Sequence, residues 1–358
     1  MRTASGSVAD GGSTVQAALI TGRHRVELRE FAEPVVGDTD VVVDISLCGV
    51  CGTDAHAWAS GSPYNPAICG HEWAGTVRAV GAAARDLTAG DRVVVAVPSA
   101  CGRCGPCRHT DPEHCVRVFE AAVGRDAGAP VHGGFAPAIR VDAGRVIHAD
   151  DRLDDVQCAL VEPTTICLHA VRRSRLRLGD HVVVQGAGPI GLLTLQLARV
   201  AGAGSVTVVE PDPERRDLAC SLGADAAAAP GSEASDLVRE RTDGLGADLV
   251  FECAGIASVV QTAVGFARRG GSVMLVGYPV DRAEVDIAGW LVQEVTVGTS
   301  LAYLRGEFPL AMDLIGAGRI DVARLHSRTV PLSQLPGVLA DLASGGSRER
   351  KVLVDPRG

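Results

Sequence analysis

A glycine-rich turn between a strand and a helix constrains this chain more than any other feature. The stretch VVVQGAGPIGLL contains Gly186, Gly188 and Gly191 in a G-x-G-x-x-G pattern, with Pro189 and Ile190 between the last two glycines. Glycines at these positions permit a tight turn, and the N–H groups that open the following helix can bind a pyrophosphate. The pattern predicts a dinucleotide-binding turn in a parallel α/β sheet.

The sequence on both sides of this turn supports the same fold. Strand-like and helix-like segments alternate in HVVVQ, IGLLTLQLARVAG, SVTVVE, PERRDLACSLG and DLVFECA. Such alternation predicts parallel strands joined by right-handed helical crossovers, which is a doubly wound Rossmann domain. We place this domain at residues 156–299.

An acidic residue after the second strand bears on the choice of nicotinamide cofactor. Glu210 stands 19 residues after Gly191, where a carboxylate accepts hydrogen bonds from the adenosine ribose and repels a 2′-phosphate. This position favours NAD, although Arg215 and Arg216 can pair with a phosphate and leave NADP as an alternative. A second interpretation is that Glu210 only caps the following helix.

The first half of the chain has a different pattern. The runs VVVDISL, AGTVRAV, DRVVVAV and FAPAIRV are separated by Gly, Pro and Asp, which is typical of an all-β unit. A chain of 358 residues is also long enough for two cores. We therefore expect a β-rich domain at residues 1–155 beside the Rossmann domain.

Charge and hydropathy exclude several classes of function. The net charge is −9, and the 34 basic residues are almost all dispersed arginines, which disfavours a nucleic-acid surface. No apolar run reaches the length of a membrane helix, and the first fourteen residues contain no export signal, so we expect a cytoplasmic protein with a small-molecule substrate. Lys351 is the only lysine and lies in the C-terminal tail of the sequence, which disfavours Schiff-base chemistry.

Four cysteines predict a structural zinc site. Cys101, Cys104, Cys107 and Cys115 form C-x2-C-x2-C-x7-C in a lobe at about residues 98–120. Four thiolates within fifteen residues can complete a tetrahedron around one zinc and leave no position for substrate. Reduced thiols and an iron–sulfur cluster are the alternatives.

A second group of potential ligands is spread along the chain. Cys51 lies in CGVCGTDAH, His71 and Glu72 in CGHEWAG, and Glu162 in VEPTT. A catalytic zinc takes three protein ligands and keeps one position open. Cys51, His71 and one glutamate supply such a set.

The segment GHEWAGTVRAVGAAA matches the zinc signature of the zinc-dependent medium-chain alcohol dehydrogenase family, and the chain resembles that family from Val15 to Asp355. The resemblance implies a GroES-like, β-rich catalytic domain to which residues 300–358 return. It implies that Cys51 is a ligand and that Cys48 is not. Glu162 occupies the position of a second cysteine ligand, as in the polyol, threonine and butanediol dehydrogenase branch. Whether Glu72 or Glu162 binds zinc at rest stays open, and Cys167 is a further alternative.

The same resemblance implies a mechanism. Thr53 moves the proton of the alcohol, His56 passes it outward, and Asp54 orients His71 by accepting its second ring N–H. A secondary alcohol, which we expect to be a diol, polyol or cyclitol, then exchanges a hydride with NAD. His56 as an ordinary surface histidine is the alternative. Trp58 and Tyr64 are candidate walls of the substrate pocket.

The sequence also allows alternative functions, and it bears on the oligomeric state. An aminocyclitol or a 3-hydroxy amino acid are alternative substrates, and a zinc-free enone or quinone reductase or a non-catalytic NAD-binding relative are alternatives of other classes. We expect two zinc ions per chain and a homodimer or homotetramer that pairs through the edge strands SVMLVGY and EVTVG. Pro137, where the family has an acidic residue, predicts an edge or bulged strand.

Overall fold

A computed structural model describes residues 13–61, 65–123, 125, 129–279 and 281–358. The chain divides into two compact units. The first comprises Met1–Glu162 and His326–Gly358, and the second comprises Pro163–Leu325. No helix in the described ranges combines the length and the hydropathy that a membrane span requires.

The described part of the chain contains fifteen strands. They are β1 (Thr14–Gly22), β2 (Arg25–Ala32), β3 (Asp40–Gly49), β4 (Glu72–Val80), β5 (Arg92–Val95), β6 (Ala138–Asp142), β7 (Val146–His148), β8 (His181–Gln185), β9 (Ser205–Val209), β10 (Ala226–Ala228), β11 (Ala247–Glu252), β12 (Ala267–Leu275), β13 (Thr296–Thr299), β14 (His326–Pro331) and β15 (Lys351–Asp355).

Twelve α-helices accompany these strands within the described residues. They are α1 (Gly52–Ser60), α2 (Gly105–Arg108), α3 (Val116–Ala122), α4 (Asp155–Ala159), α5 (Val161–Arg173), α6 (Pro189–Val200), α7 (Pro213–Ser221), α8 (Ser232–Arg241), α9 (Val260–Phe266), α10 (Ile287–Gln293), α11 (Phe308–Gly316) and α12 (Leu335–Ala343).

The second unit is built on a six-stranded parallel sheet of order β10-β9-β8-β11-β12-β13. In the chain order of these strands this is 3-2-1-4-5-6, the doubly wound Rossmann arrangement predicted from the sequence. The strands β8, β9 and β11 are almost wholly buried, because helices cover both faces of such sheets. One prediction is wrong: SVMLVGY forms the interior strand β12, and only β13, from EVTVG, lies at that edge.

The first unit contains a β1–β2 hairpin and a larger sheet of order β14-β15-β3-β4-β5-β7, with β6 paired to β3. Val41, Val43 and Ile45 of β3 are fully buried in one apolar core, since alternate residues of a strand face the same side. Pro137 lies immediately before β6, whose one strand partner in the described sheet is β3. This edge position agrees with the prediction, because proline provides no N–H for a ladder.

The division into units differs from the boundaries that the sequence suggested at 155/156 and 299/300. The first structural boundary falls within α5. The second falls at Leu325, because hydrogen bonds tie the segment 300–325 to the second unit: the N–H of Asp321 donates to Oε1 of Gln196 at 2.7 Å. The functional domain boundaries remain a prediction.

Strand pairing brings three distant parts of the chain to one end of the larger sheet. Gly49, at the end of β3, pairs with Glu72, the first residue of β4. Gly49 also pairs with Leu353 of β15, two residues beyond Lys351. The turn after β3, the turn before β4 and the start of the last strand therefore meet.

Candidate active site

The four cysteines of the lobe lie together as the sequence predicts. One Sγ atom from each of Cys101, Cys104, Cys107 and Cys115 lies within 4.8 Å of the others. Backbone N–H groups point at the sulfurs: Cys101 N–H donates to Cys115 Sγ at 3.3 Å, and Cys104 N–H donates to Cys101 Sγ at 3.4 Å. An all-sulfur set with N–H···S support fits a tetrahedral structural zinc.

The thiols of this lobe are electrostatically unequal. Backbone N–H bonds from Cys107 and Val116 lower the pKa of Cys104 to about 6. Burial and the hydrogen bond with Cys104 raise the pKa of Cys107 to about 12. Four thiols at this separation do not all ionise unless a cation is present, so binding of a dication by all four would release protons.

The second group of ligand atoms begins at the N-terminus of α1. Cys51 is the N-cap residue of this helix, and its Sγ accepts the N–H of Thr53 at 3.5 Å. Cys48, three residues earlier, is fully buried, and burial raises the pKa of its thiol well above the usual value. Cys51 is thus the thiol suited to bind a metal, as the sequence indicated.

Asp54 connects the turn of Cys51 to the turn of His71. Its carboxylate is fully buried; Oδ2 accepts the N–H of Cys51 at 3.0 Å and Oδ1 accepts the N–H of Gly70 at 3.2 Å. The prediction that Asp54 accepts the second ring N–H of His71 is therefore wrong, because that nitrogen faces the carbonyl of Ile68. The carboxylate orients His71 through the backbone, by fixing the residue before it.

His71 receives its ring orientation from a backbone carbonyl. Its Nδ1 lies 3.0 Å from the carbonyl oxygen of Ile68. A carbonyl can only accept, so Nδ1 carries the hydrogen and the lone pair of Nε2 is left for a metal. Burial lowers the pKa of His71, but the negative groups of Cys51, Asp54 and Glu162 outweigh it and raise the pKa well above the usual value. The same negative field attracts a divalent cation.

Glu72 completes the close group and is paired with Lys351. Ligand atoms of Cys51, His71 and Glu72 all lie within 4.8 Å of one another. Lys351 Nζ donates to Glu72 Oε2 and to the carbonyl of Val50, the latter at 3.2 Å. Both charged side chains are buried, with 2% of Glu72 and 3% of Lys351 exposed. Burial opposes the charge of Lys351, but Glu72 and Cys51 raise its pKa.

Lys351 lies in the C-terminal tail of the sequence, but it is buried within the first unit. It is the first residue of β15, next to the apolar run VLV. The apolar run that follows it, together with its being the only lysine, was a signal in the sequence.

Glu162 lies near the group without belonging to it. It is the second residue of α5 and 7% of it is exposed. Its charge raises the pKa values of His71 and Lys351. Among the described residues, the group within 4.8 Å includes Glu72 and does not include Glu162.

The remaining predicted residues of this site lie on α1. Thr53 Oγ1 is 3.6 Å from Cys51 Sγ, and the side chain is exposed. His56, one turn later, is also exposed, and partial burial of its ring lowers its pKa. Trp58 is half-buried; Tyr64 lies outside the described residues. Cys167 is in the second unit, and its thiol donates to the carbonyl of Ile190 at 3.4 Å.

The glycine turn of the second unit has the geometry that its pattern predicts. Gly186 has a φ of 96°, which favours glycine. A Cβ on Gly191 would overlap the carbonyl oxygen of Gly186. Gly188 is the N-cap of α6, which starts with Pro189 and Ile190. The N–H groups at this helix start are suited to a pyrophosphate.

Glu210 is tied into the same turn. Its Oε2 accepts the N–H of Ala187 at 2.7 Å and its Oε1 accepts the N–H of Asp212 at 3.1 Å. The side-chain cap of α7 is Asp212, so the alternative that Glu210 caps this helix is wrong. Arg216 bonds the carbonyls of Glu210 and Pro211 through Nη1. Its guanidinium is thus partly committed to the backbone.

Two protein-family models match the chain. Residues 37–151 match the alcohol dehydrogenase GroES-like domain, and residues 189–317 match the zinc-binding dehydrogenase domain. The chain is 30% identical to L-idonate 5-dehydrogenase of Vitis vinifera over 90% of this chain and 89% of the relative.

Two solved structures are similar over the whole chain. A zinc-binding dehydrogenase of Sinorhizobium meliloti 1021, bound to NADP, has a TM-score of 0.83 and 32% identity, over 96% of this chain and 100% of the other. The 2R,3R-butanediol dehydrogenase of Bacillus subtilis has a TM-score of 0.80 and 28% identity, over 96% and 99%. The matches confirm the resemblance, the fold class and the enzyme class inferred from the sequence. The chain belongs to the zinc-dependent medium-chain alcohol dehydrogenase family and is an oxidoreductase.

Proposed function

We propose that this enzyme transfers a hydride between a secondary alcohol of the polyol or vicinal diol type and NAD, with two zinc ions per chain. The observation that carries the proposal is the approach of Cys51, His71 and Glu72 to within 4.8 Å, beside the exposed side chains of Thr53 and His56. A thiol, an imidazole and a carboxylate are all zinc ligands, and together they suit a catalytic rather than a closed site.

The two metal sites have different roles, one catalytic and one structural. Cys51 and His71, with Glu72 or Glu162, would hold a catalytic zinc, which as a Lewis acid polarises the alcohol oxygen. Cys101, Cys104, Cys107 and Cys115 would hold a structural zinc. Asp54 fixes the two ligand-bearing turns relative to each other.

Two residues of α1 transfer the proton of the alcohol to solvent. The hydroxyl of Thr53, beside Cys51, accepts the alcohol proton and donates its own to the next acceptor. His56 then carries the proton outward, a role that requires its neutral form. The lowered pKa of His56 keeps that form available at neutral pH.

The glycine turn and Glu210 bind the cofactor. The N–H groups at the start of α6 hold the pyrophosphate, and the Glu210 carboxylate accepts from the ribose hydroxyls and repels a 2′-phosphate. Although the Sinorhizobium meliloti neighbour binds NADP, the carboxylate at this position favours NAD. The ratio of kcat/KM for NAD to that for NADP tests the choice: Glu210→Gln should lower it at least about tenfold, because the repulsive charge is lost. An unchanged ratio would refute this role of Glu210.

The substrate class rests on the relatives and on the ligand set. L-idonate and 2R,3R-butanediol, named in two of the matches, both carry adjacent oxygen functions. NADH formation over vicinal diols, polyols, cyclitols, aminocyclitols, L-threonine and simple alcohols, with chelator-treated enzyme as the control, tests the proposal. Chelator-sensitive turnover of a diol or polyol supports it. Turnover restricted to L-threonine, to an aminocyclitol or to simple alcohols contradicts the substrate class.

The edge strand β13 suggests how copies associate. It ends the six-stranded sheet, and Leu291 and Val292 of the adjacent α10 are more than 70% exposed. An unpaired edge beside apolar side chains is an association surface. We expect a homodimer or homotetramer, which light scattering measures; Leu291→Asp with Val292→Asp should reduce the assembly state.

A further inference from the structure

Glu72 is a candidate zinc ligand, but Lys351, which is buried against it, has no part in the proposed mechanism. Lys351 is the only lysine in the chain, and its Nζ contacts Glu72 Oε2 and the Val50 carbonyl. Gly49 makes room for this pair, because a Cβ there would overlap Oε2 of Glu72. A buried charge pair costs desolvation free energy and is a poor source of stability by itself. Its position beside candidate ligands therefore calls for a functional reason.

The functional reason lies in the number of candidate zinc ligands around the catalytic site. Cys51, His71 and Glu72 lie within 4.8 Å of one another, and Glu162, a buried carboxylate at the start of α5, is the fourth candidate ligand. If all four bound one zinc, the tetrahedron would close as in a structural site, and no position would remain for an alcohol. One carboxylate must therefore be kept from binding fully, and Glu72 accepts a hydrogen bond from the buried ammonium of Lys351.

We propose that Lys351 is a positioning residue that restrains the Glu72 carboxylate and thereby keeps a coordination position of the zinc site available to the substrate. The proposal rests on the proposed function, since it needs a zinc at Cys51 and His71. Two effects act in the same direction. The ammonium takes lone-pair density of Oε2 by a charge-assisted hydrogen bond, and its positive charge repels a divalent cation at the same carboxylate.

The fold makes this restraint firm. Lys351 starts β15, which lies between β14 and β3 in the sheet. The N–H of Val50 donates to the carbonyl of Val352 at 3.0 Å, so the backbone beside Lys351 is bonded to the turn that leads to Cys51. Glu72 is held by its pairing with Gly49. Neither partner can leave the pair without disturbing a buried strand.

Release of zinc to a chromogenic chelator tests the proposal, with four proteins in a double-mutant cycle: wild type, Lys351→Met, Glu72→Gln and the double variant. The kinetic phase of zinc release that is absent in Cys51→Ser belongs to the catalytic site. Lys351→Met should keep two zinc ions, release the catalytic one about tenfold more slowly and turn over about tenfold more slowly. Adding Glu72→Gln should abolish the slow release, because a neutral amide is a weaker zinc ligand than a carboxylate. Arg357→Met, which removes an exposed cation just beyond β15, should change neither rate.

If Lys351 had only a structural role, Lys351→Met would release zinc faster than the wild type, not more slowly. Loss of a supporting contact usually weakens metal binding or activity about 10–100-fold, so faster zinc release from Lys351→Met, or an unchanged rate, would overturn the proposal. Lys351→Gln, which loses the charge but keeps an amide donor, gives the same test if the methionine variant is unstable. A wild-type protein that binds only the lobe zinc would overturn the proposed function and this proposal with it. Two zinc ions without slowed release would overturn this proposal alone.

Discussion

The two cysteine-containing sites of the first unit are assembled in different ways. The lobe site draws all its ligands from the fifteen residues between Cys101 and Cys115, with N–H···S bonds inside the same segment. The other site draws Cys51, His71 and Glu72 from the ends of two strands, and the lysine that contacts it from near the end of the chain. A local site needs little beyond its own turns, whereas the dispersed site requires the paired sheet to be formed first. Substitutions at the two sites should therefore separate loss of chemistry from loss of folding.

Cys51→Ser should give the largest effect, a loss of chemistry without a loss of folding. The serine hydroxyl is a much weaker zinc ligand than a thiolate, so the variant should contain one zinc instead of two. Because Lewis-acid catalysis provides several kcal/mol of transition-state stabilisation, turnover should fall about a thousandfold or more. Zinc analysis and NADH kinetics measure this, with Cys220→Ser at an exposed cysteine as the control. Retention of both metals with full turnover would contradict the assignment of this site.

Asp54→Asn should produce the next largest effect. It tests whether the dispersed site depends on the hydrogen bonds by which Asp54 joins its two turns. The amide can keep only one of the two acceptor oxygens that face the N–H groups of Cys51 and Gly70. Turnover or affinity for the catalytic zinc should fall about 10–100-fold, while the lobe zinc is retained. Asp217→Asn, on an exposed face of α7, serves as the control. Equal behaviour of the two variants would remove Asp54 from the site.

The difference between local and dispersed features also explains what could be predicted from the sequence. The Rossmann order followed from alternating periods and from Gly186 and Gly191, since glycine at such a turn has a direct steric cause. The lobe cysteines were found because their spacing alone allows a tetrahedron. The interior position of β12 was missed because a buried parallel strand and a parallel edge strand have similar apolar runs.

Side-chain partners across strands were beyond the reach of the sequence. Asp54 was expected to contact His71, but its oxygens bond backbone N–H groups, whose positions depend on the turn geometry. Lys351 was set aside because the distance in sequence between it and Glu72 hid the contact that β15 creates through β3. Such contacts need the exact register, and a slip of two residues would keep every side chain of a strand on the same face.

A smaller effect is expected at His56, which tests proton transfer without disturbing a metal ligand. During alcohol oxidation this ring accepts a proton only when it is neutral, that is, above its pKa. Since that pKa is lowered from the usual 6.5, the wild type should keep the relay below pH 6.5 and lose it only at still lower pH. His56→Gln should turn over up to about tenfold more slowly at neutral pH and should lack this acid limb. Profiles of kcat against pH measure both features, with exposed His109→Gln as the control; superimposable profiles would exclude the relay.

The smallest effect on turnover, and the largest on stability, should come from the local site. Cys107→Ser leaves three thiols in the lobe, so the structural zinc should be lost while the zinc at Cys51 remains. A metal that binds only the folded form stabilises it, and its loss should lower the Tm by at least about 5 °C, since a shift of 1 kcal/mol changes Tm by roughly 2–4 °C in domains of this size. Below that Tm, kcat per remaining zinc should change less than about threefold, because no lobe cysteine belongs to the Cys51 group. Thermal unfolding, zinc analysis and kinetics on the same preparation decide the matter. A thousandfold loss of kcat in a still-folded variant that keeps its catalytic zinc would show that the lobe acts on the chemistry, and the contrast between a local structural site and a dispersed catalytic one would have to be abandoned.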